Sequence, residues 1–179
     1  MRQTNLVLLL YFFVAPFLCF AQPDEELISW SSARKLQWQD YLASPDRHSS
    51  AAALTSTQIG FEYHIRDNSL TYNITCKFSK TKSWGRYKNA YILSHEQGHF
   101  DIAEIFTRQM VKALREYKFD ASTYKNDLRK IYSDAMNNKE QMQHQYDDET
   151  DYSRNKPQQE AWLSKIRKML DDSEEYANY

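Results

Sequence analysis

The stretch that most constrains this chain is YILSHEQGHFDIAEI, residues 91–105, which places the pentapeptide HExxH inside a helical pattern. On a helix His95 and His99 lie about 40° apart, because each residue turns the chain by about 100°. Both imidazoles can therefore reach one metal ion, and catalytic zinc accepts histidine nitrogen while keeping a position open for water. Glu96 can face that water as a general base. The pattern favours a zinc hydrolase, and among these a peptidase.

The two histidines lie on the apolar stripe of a predicted helix that spans residues 88–117. The stripe comprises Ile92, His95, His99, Ile102, Phe106 and Met110. A lone histidine on such a face is usually a core residue, whereas two at i and i+4 with a glutamate between them favour a metal site. Gly98 costs about 1 kcal/mol of helix stability relative to alanine, which indicates close approach by another segment or by substrate. Glu104 and Asp101 point away from the metal face, and Asp101 is expected to pair with a basic neighbour.

The first residues predict an export signal that is not part of the fold. An apolar run from Leu6 to Phe20 ends at Ala21, with small residues at the positions that a signal peptidase reads. This pattern predicts a Sec signal peptide over residues 1–21, cleaved after Ala21. The mature chain is then expected to be one secreted or periplasmic domain over residues 22–179, acidic in its last residues from about 171.

The composition of the 179 residues, 41% hydrophobic and 26% charged with a net charge of −1, fits one domain with its own core. This near-neutral net charge lacks the excess of basic residues that is typical of a nucleic-acid-binding protein. After residue 21 no stretch is long and apolar enough to span a membrane. Neither nucleic acid nor membrane is therefore an expected partner of the mature chain, and a monomer is expected. Of the two cysteines in the sequence, the predicted mature chain keeps only Cys76, which allows no intramolecular disulfide.

Two segments ahead of the HExxH helix are predicted to contribute the core anchors and a small sheet. The expected anchors are the large apolar side chains of Trp30, Leu36, Trp38 and Tyr41. Residues 57–78 alternate between apolar and polar side chains on either side of Asp67 and Asn68. That alternation predicts a β-hairpin with a short polar turn.

Two further helices are predicted after the HExxH helix. The first runs from Ser122 to about Tyr146, and the short connection before it favours an antiparallel helix pair. Residues 145–156 are interpreted as a solvated loop, Pro157 starts a last amphipathic helix, and the acidic tail is expected to fray. The predicted fold class is therefore α+β and zincin-like. A small antiparallel sheet packs on the long HExxH helix, which has an antiparallel partner helix and a C-terminal helix.

A third metal ligand is expected from the segment that returns past the two histidines, because catalytic zinc usually has three protein ligands. This return segment holds four candidates with suitable ligand atoms: Glu140, His144, Asp147 and Glu149. Ligand type alone does not rank them.

Several segments of the chain match the pattern of a known family. They are WSSARKLQWQDY (30–41), HEQGHFDIAE (95–104) and YDDETDYS (146–153), followed by Gln159 and Trp162. On these segments the chain resembles the secreted bacterial proteins grouped as domain of unknown function 922, which are described as zinc-dependent proteases on the strength of HExxH. The string HEQGHFDI is the specific part, and the other segments support it.

The third segment departs from the family pattern. Many relatives read YDxxTxHG there, whereas this chain has Tyr152 and Ser153 at the last two positions. The resemblance implies Asp147 as the third ligand, because Asp147 and Thr150 keep the family pattern and carboxylate oxygen binds zinc well. Tyr152, or alternatively Tyr146, is then expected to donate to the oxyanion of the substrate.

The expected reaction is hydrolysis of a peptide or protein substrate at one zinc ion held by His95, His99 and Asp147. Glu96 takes a proton from water as the water attacks the carbonyl, and delivers it to the leaving amine. Two alternatives remain open at this point. One is a non-catalytic secreted module that binds metal or a partner, and the other is a zinc hydrolase of a non-peptide bond such as a cell-wall amide.

Overall fold

The computed structural model describes residues 26–179, so the predicted signal peptide and its cleavage after Ala21 lie outside the described residues. Five strands precede three helices, which agrees with the predicted α+β class. In chain order these elements are β1 (Leu27–Ser29), β2 (Ala53–Leu54), β3 (Thr57–Arg66), β4 (Ser69–Ser79), β5 (Trp84–Gly85), α1 (Ala90–Glu116), α2 (Tyr124–Thr150) and α3 (Lys156–Asp172). Within residues 26–179, none of the helices has the length and apolar character that crossing a bilayer requires.

The predicted hairpin is confirmed as β3 and β4, which pair antiparallel from Thr57↔Phe78 to Arg66↔Ser69. Asp67 and Asn68 form the two-residue turn with φ of 50° and 56°. Positive φ at both positions gives the turn the twist that joins two adjacent strands. β1 pairs with the far end of β4, and β2 and β5 form a separate two-stranded sheet, so both sheets are small and antiparallel.

The HExxH helix α1 runs through the centre of the molecule and contacts both other helices and the sheet. Asn89 caps its first turn: the Asn89 side chain accepts a hydrogen bond of 2.9 Å from the Ile92 amide and so satisfies one free donor of that turn. α2 runs back along α1, since Tyr117 just after α1 contacts Asp127 near the start of α2 at 3.2 Å, and His95 near the start of α1 contacts Asp147 near the end of α2 at 3.1 Å. The expected antiparallel helix pair is therefore confirmed.

The end of α2 differs from the prediction. The helix continues to Thr150, about one turn beyond Tyr146, so the interpretation of residues 145–156 as a solvated loop is wrong for its first half. Thr150 is fully buried and its hydroxyl donates to the Tyr146 carbonyl at 2.7 Å. Burial of this face against the rest of the molecule outweighs the acidic, loop-like composition of the segment.

The acidic tail also differs from the prediction, because it folds back onto α1 and does not fray. Arg115 of α1 donates to the carbonyls of Glu175 at 2.9 Å and Asn178 at 3.0 Å. The Tyr179 hydroxyl donates to the buried carboxylate of Glu104 at 2.7 Å. The tail is held by the basic side chains of α1, which its composition alone does not reveal.

The predicted core anchors lie together in a hydrophobic cluster beside α1. Leu36 and Tyr41 are buried, and Trp30 and Trp38 are half-buried against the same cluster. The indole nitrogen of Trp30 donates to the Asp101 carboxylate at 2.8 Å. Asp101 also pairs with a basic neighbour as expected, at 3.6 Å from the Lys35 ammonium group. These contacts fix the segment before β2 against the first half of α1.

Candidate metal centre

Three side chains from two helices converge at one point beside α1. His95 and His99 come from α1 and Asp147 comes from α2. The Nε2 atoms of His95 and His99 lie 3.2 Å apart. Asp147 Oδ1 lies 3.1 Å from His95 Nε2 and 3.0 Å from His99 Nε2. The structure therefore brings together the three residues that were predicted as ligands, while the ligand role itself stays a prediction.

The spacing of these three atoms fits a small cation better than it fits hydrogen bonds. Protons cannot satisfy all three contacts, because the Nε2–Nε2 contact needs one unprotonated nitrogen, whose lone pair then faces the Asp147 carboxylate. Zinc with bonds of about 2.0–2.1 Å in tetrahedral geometry separates its ligand atoms by about 3.3–3.4 Å. The observed separations of 3.0–3.2 Å lie close to that value. Two imidazoles and a carboxylate also match the ligand chemistry of zinc.

The rings of both histidines are held by neighbours on α2. The Nδ1 atom of His99 donates to the side-chain oxygen of Gln143, whose amide nitrogen donates back to the His99 carbonyl at 2.9 Å. A hydrogen bond at Nδ1 leaves the lone pair of Nε2 aimed at the centre of the cluster. His95 Nδ1 is buried without a hydrogen-bond partner in the described part of the chain. Its ring is instead stacked on Tyr146, with centroids 4.4 Å apart and an interplanar angle of 21°.

Gly98 lets the two helices approach closely enough for this cluster to form. A Cβ atom at Gly98 would lie 2.6 Å from the Tyr146 hydroxyl oxygen and 2.9 Å from the ring carbon that bears it. The close approach predicted for this glycine is therefore confirmed, and the neighbour is a side chain of α2. Tyr146 is fully buried and its hydroxyl donates to the His95 carbonyl at 3.3 Å. Tyr146 is thus unavailable as the alternative oxyanion donor.

Gly98→Ala is expected to destabilise the fold and to weaken the metal site. Alanine gains about 1 kcal/mol of helix propensity, but overpacking against a rigid ring costs about 1–3 kcal/mol. The Tyr146 ring is fully buried and in contact with His95 and Trp162, so it cannot move aside without displacing them. Thermal unfolding and zinc titration measure the two effects. Gln109→Ala, on the exposed face of the same helix, is the control, and equal melting temperatures for both variants would contradict the argument.

The other three candidate ligands of the return segment are not part of the cluster. Glu140 and His144 are exposed and pair with each other at 3.0 Å on the rim above it. Glu149 accepts a hydrogen bond of 2.7 Å from the indole nitrogen of Trp162. Of the four candidates in the return segment, Asp147 alone joins the cluster found in residues 26–179.

Charge and burial set the protonation of the metal-free cluster. Burial favours the neutral form of His99, but its hydrogen bond with Asp147 and the negative charges of Glu96 and Asp147 outweigh burial and raise its pKa to about 9. Burial acts to raise the pKa of Asp147, yet its contacts with the two histidine rings hold that pKa well below its usual range. Without metal, the protonated ring of His99 therefore places positive charge where a cation fits.

Binding of zinc is expected to release about one proton near neutral pH. His99 must be neutral to bind metal, and its raised pKa of about 9 means that it is protonated at pH 7. Apparent zinc affinity should therefore rise by about tenfold per pH unit between pH 7 and the pKa, and level off above it. Titration calorimetry at pH 7.5 in two buffers of different ionisation enthalpy measures the proton count. Equal heats in the two buffers would contradict the prediction.

The cluster opens into a cleft of about 460 Å³. One wall is the segment Ala51–Thr57, which includes β2, and the other is the face of α2 that carries Asp147. Glu96 is buried at 4% exposure and lines the same cleft. The Thr55 hydroxyl, on the opposite wall, donates to Glu96 Oε2 at 2.7 Å. Sequence reasoning missed Thr55, because no motif or periodicity links it to the HExxH helix.

A left-handed turn after α2 brings Tyr152 to the rim of the cleft. Asp151, Tyr152 and Ser153 have φ of 48°, 51° and 73°, so three successive residues other than glycine adopt the left-handed region. Each such residue costs about 1–2 kcal/mol. The turn places the half-exposed Tyr152 and the buried Ser153 along the cleft. Tyr152 thus lies where a substrate contact is possible, and its donor role stays a prediction.

Comparison with known proteins gives one family. The family described as bacterial protein of unknown function (DUF922) matches residues 28–154, a range that holds every residue of the cluster and every residue that lines the cleft. No curated protein and no solved structure matches the chain.

Proposed function

Because this chain belongs to the bacterial DUF922 family, whose function is unknown, we propose from its own site that it is a zinc-dependent peptidase with a zincin-like arrangement. The observation that carries the proposal is the convergence of two imidazole nitrogens and one carboxylate oxygen at 3.0–3.2 Å. These atoms lie beside a glutamate in an open cleft. Three protein ligands with room for water are typical of catalytic zinc, whereas structural zinc usually has four protein ligands.

The residues of the cluster have distinct roles in the proposal. His95, His99 and Asp147 would hold the ion. When bound, zinc supplies Lewis-acid polarisation of the substrate carbonyl and lowers the pKa of water. Glu96 takes the proton of the attacking water as the new C–O bond forms, and then passes that proton to the leaving amine as the amide C–N bond breaks. Tyr152 donates a hydrogen bond to the carbonyl oxygen as negative charge develops there.

The shape of the cleft supports a chain-like substrate. The cleft is open to solvent and bounded along one side by the extended segment Ala51–Thr57. Leu54 on this wall is 43% exposed, and Glu140 and His144 on the other wall are exposed as well. A peptide can lie along such a groove without entering a closed pocket. Because residues 1–21 are predicted to be a Sec signal peptide, we propose that the reaction takes place in the periplasm or outside the cell.

Asp147→Ala is expected to lower zinc affinity by at least about 100-fold. Loss of a residue that only hydrogen-bonds to a metal ligand already lowers metal affinity by about 10–100-fold. The unmodified mature chain should bind one zinc ion. Asp148→Ala, at the exposed neighbouring position on the same helix, is the matched control and should bind zinc normally. Metal content after dialysis and competition with a chelator of known affinity give the values. Zinc binding unchanged by Asp147→Ala would remove Asp147 from the ligand set.

Activity is tested separately with the zinc-loaded chain and a mixed-sequence library of fluorescence-quenched peptides. Cleavage that stops on chelation and returns with zinc supports the peptidase. Zinc binding without cleavage of any peptide would instead favour a non-catalytic metal-binding module. Release of fragments from purified cell wall, without cleavage of the peptides, would instead indicate hydrolysis of a non-peptide amide. Failure to bind zinc at saturating concentration would remove the whole proposal.

A further inference from the structure

Two hydrogen bonds in series reach Glu96 from outside the HExxH helix. The Thr55 hydroxyl donates to Glu96 Oε2 at 2.7 Å, and the Tyr41 hydroxyl lies 2.9 Å from the same Thr55 oxygen. The three side chains come from three separate parts of the chain: the segment before β2, the link between β2 and β3, and α1. The proposed reaction gives no role to Thr55 or Tyr41.

The direction of these hydrogen bonds follows from the proton count. A threonine hydroxyl has one proton, and Thr55 uses it on the Glu96 carboxylate, so Tyr41 must donate to Thr55. Burial, together with the nearby charge of Glu96, raises the pKa of Tyr41 well above its usual range, so its phenol keeps its proton. The Tyr41 and Thr55 hydroxyls both direct their protons towards Glu96, so this pair of hydrogen bonds cannot accept a proton from the carboxylate. The series therefore holds the carboxylate and does not relay protons.

The scaffold behind Thr55 is fixed by hydrogen bonds on both sides. The Ser56 amide donates to the Ser83 hydroxyl at 2.9 Å, and the Ser56 carbonyl accepts from the Ser79 amide at 2.9 Å. On the other side Leu54 pairs with Trp84 across the small sheet. Tyr41 is 4% exposed, with its ring against those of Trp38 and Phe78 at 4.9 Å and 5.0 Å. A donor on such a scaffold has a defined position relative to α1.

We infer that Thr55 is a positioning residue for Glu96: it holds Oε2 and leaves Oε1 as the oxygen that takes the proton of the attacking water. No hydrogen bond from another residue in 26–179 reaches Oε1, and Glu96 lines the cleft. A carboxylate with one oxygen tied cannot rotate away from its partner, so the free oxygen keeps one direction. This inference rests on the proposed peptidase function. It means that the wall of the cleft, and not the HExxH helix alone, orients the general base.

Thr55→Val tests the inference, because valine keeps the shape of threonine and removes the hydroxyl. With the zinc-loaded chain and the quenched peptide library, kcat is expected to fall by about 10–100-fold, the cost of misplacing a reacting group by about 1 Å. KM and zinc affinity should stay unchanged. Thr55→Ser restores the donor and should recover most of kcat, which a purely structural role for the methyl group does not predict. Tyr41→Phe keeps the ring packing and should lower kcat less than Thr55→Val does.

The control is Thr71→Val, the same chemical change on the exposed hairpin. Within residues 26–179 the one hydrogen bond of the Thr71 hydroxyl is to the His64 carbonyl at 3.4 Å. Thr71→Val should leave kcat unchanged. Normal kcat in Thr55→Val, or no recovery in Thr55→Ser, would overturn the inference while the peptidase stands. If the unmodified chain cleaves no peptide, the proposed function fails, and crystal structures of the zinc-loaded chain and of Thr55→Val decide this inference alone. The same Glu96 carboxylate position in both structures would overturn it.

Discussion

Glu96→Gln is expected to lower peptide cleavage by about 10²–10⁴-fold, the usual contribution of a positioned general base. Glutamine has the size of glutamate and its side-chain oxygen can still accept the 2.7 Å hydrogen bond from Thr55. It cannot take a proton from water, so the loss reports on proton transfer and not on packing. Zinc affinity should stay unchanged, because Glu96 lies outside the set of converging ligand atoms. Initial rates on the peptide library and metal content on the same preparation separate the two effects.

The control for this prediction is Glu62→Gln, the same change at an exposed position of β3. It should change neither the rate nor the zinc content. Loss of both zinc and activity in Glu96→Gln would indicate that the residue supports the metal site and is not a base. A full cleavage rate in Glu96→Gln would assign the proton transfer to another group and would contradict the mechanism.

Arg108→Met is expected to destabilise the fold by about 3–5 kcal/mol, because removing one partner of a buried ion pair leaves the other charge uncompensated. Arg108 and Glu104 are each 1% exposed and contact at 2.8 Å on successive turns of α1. Arg108 also donates to the Leu170 carbonyl at 2.8 Å near the end of α3. For a chain of this size the melting temperature should fall by about 6–20 °C.

The double variant Glu104→Leu with Arg108→Met separates the cost of an unpaired charge from the value of the pair. Replacing both partners by apolar residues of similar volume is often neutral or stabilising, so much of the lost stability should return. Chemical denaturation of the single and double variants gives the coupling energy. Lys130→Met, which breaks the exposed pair between Lys130 and Asp134, is the control and should leave stability nearly unchanged. A double variant as unstable as Arg108→Met would contradict the charge argument.

The parts of the fold that the sequence predicts are those with a local periodic signal. The alternation on either side of Asp67 and Asn68 defines the hairpin, and the 3.6-residue stripe through His95 and His99 defines α1. The short link after α1 sets the antiparallel direction of α2. The family pattern indicates Asp147 as the third ligand, whereas the residue types alone leave four candidates open. The structure places the Asp147 carboxylate against both histidines.

The parts that the sequence does not predict depend on contacts between distant residues. Thr55 lies 41 residues before Glu96 in the chain, and no pattern in either segment indicates their hydrogen bond. The acidic composition of the tail predicts fraying, but the tail binds to basic side chains of α1, among them Arg115. The left-handed turn ending at Ser153 contradicts local propensity, which places glycine in such a conformation. Long-range contacts decide the first two cases, whereas the turn is closed by local hydrogen bonds such as that from the Tyr152 amide to the Asp147 carbonyl at 2.8 Å.

The missing side chain at Gly98 also bears on which ions the cluster can select. Two ligand atoms lie on α1 and the third lies on α2, so the separation of the two helix axes sets the radius of the ion that fits between them. With only a hydrogen atom at Gly98, the Tyr146 ring lies directly against the backbone of α1. Calcium prefers six to eight oxygen ligands at about 2.3–2.6 Å, whereas two of the three converging side chains here offer imidazole nitrogen. A glycine with no side chain of its own would thus set the spacing between the two helices that the proposed metal site needs.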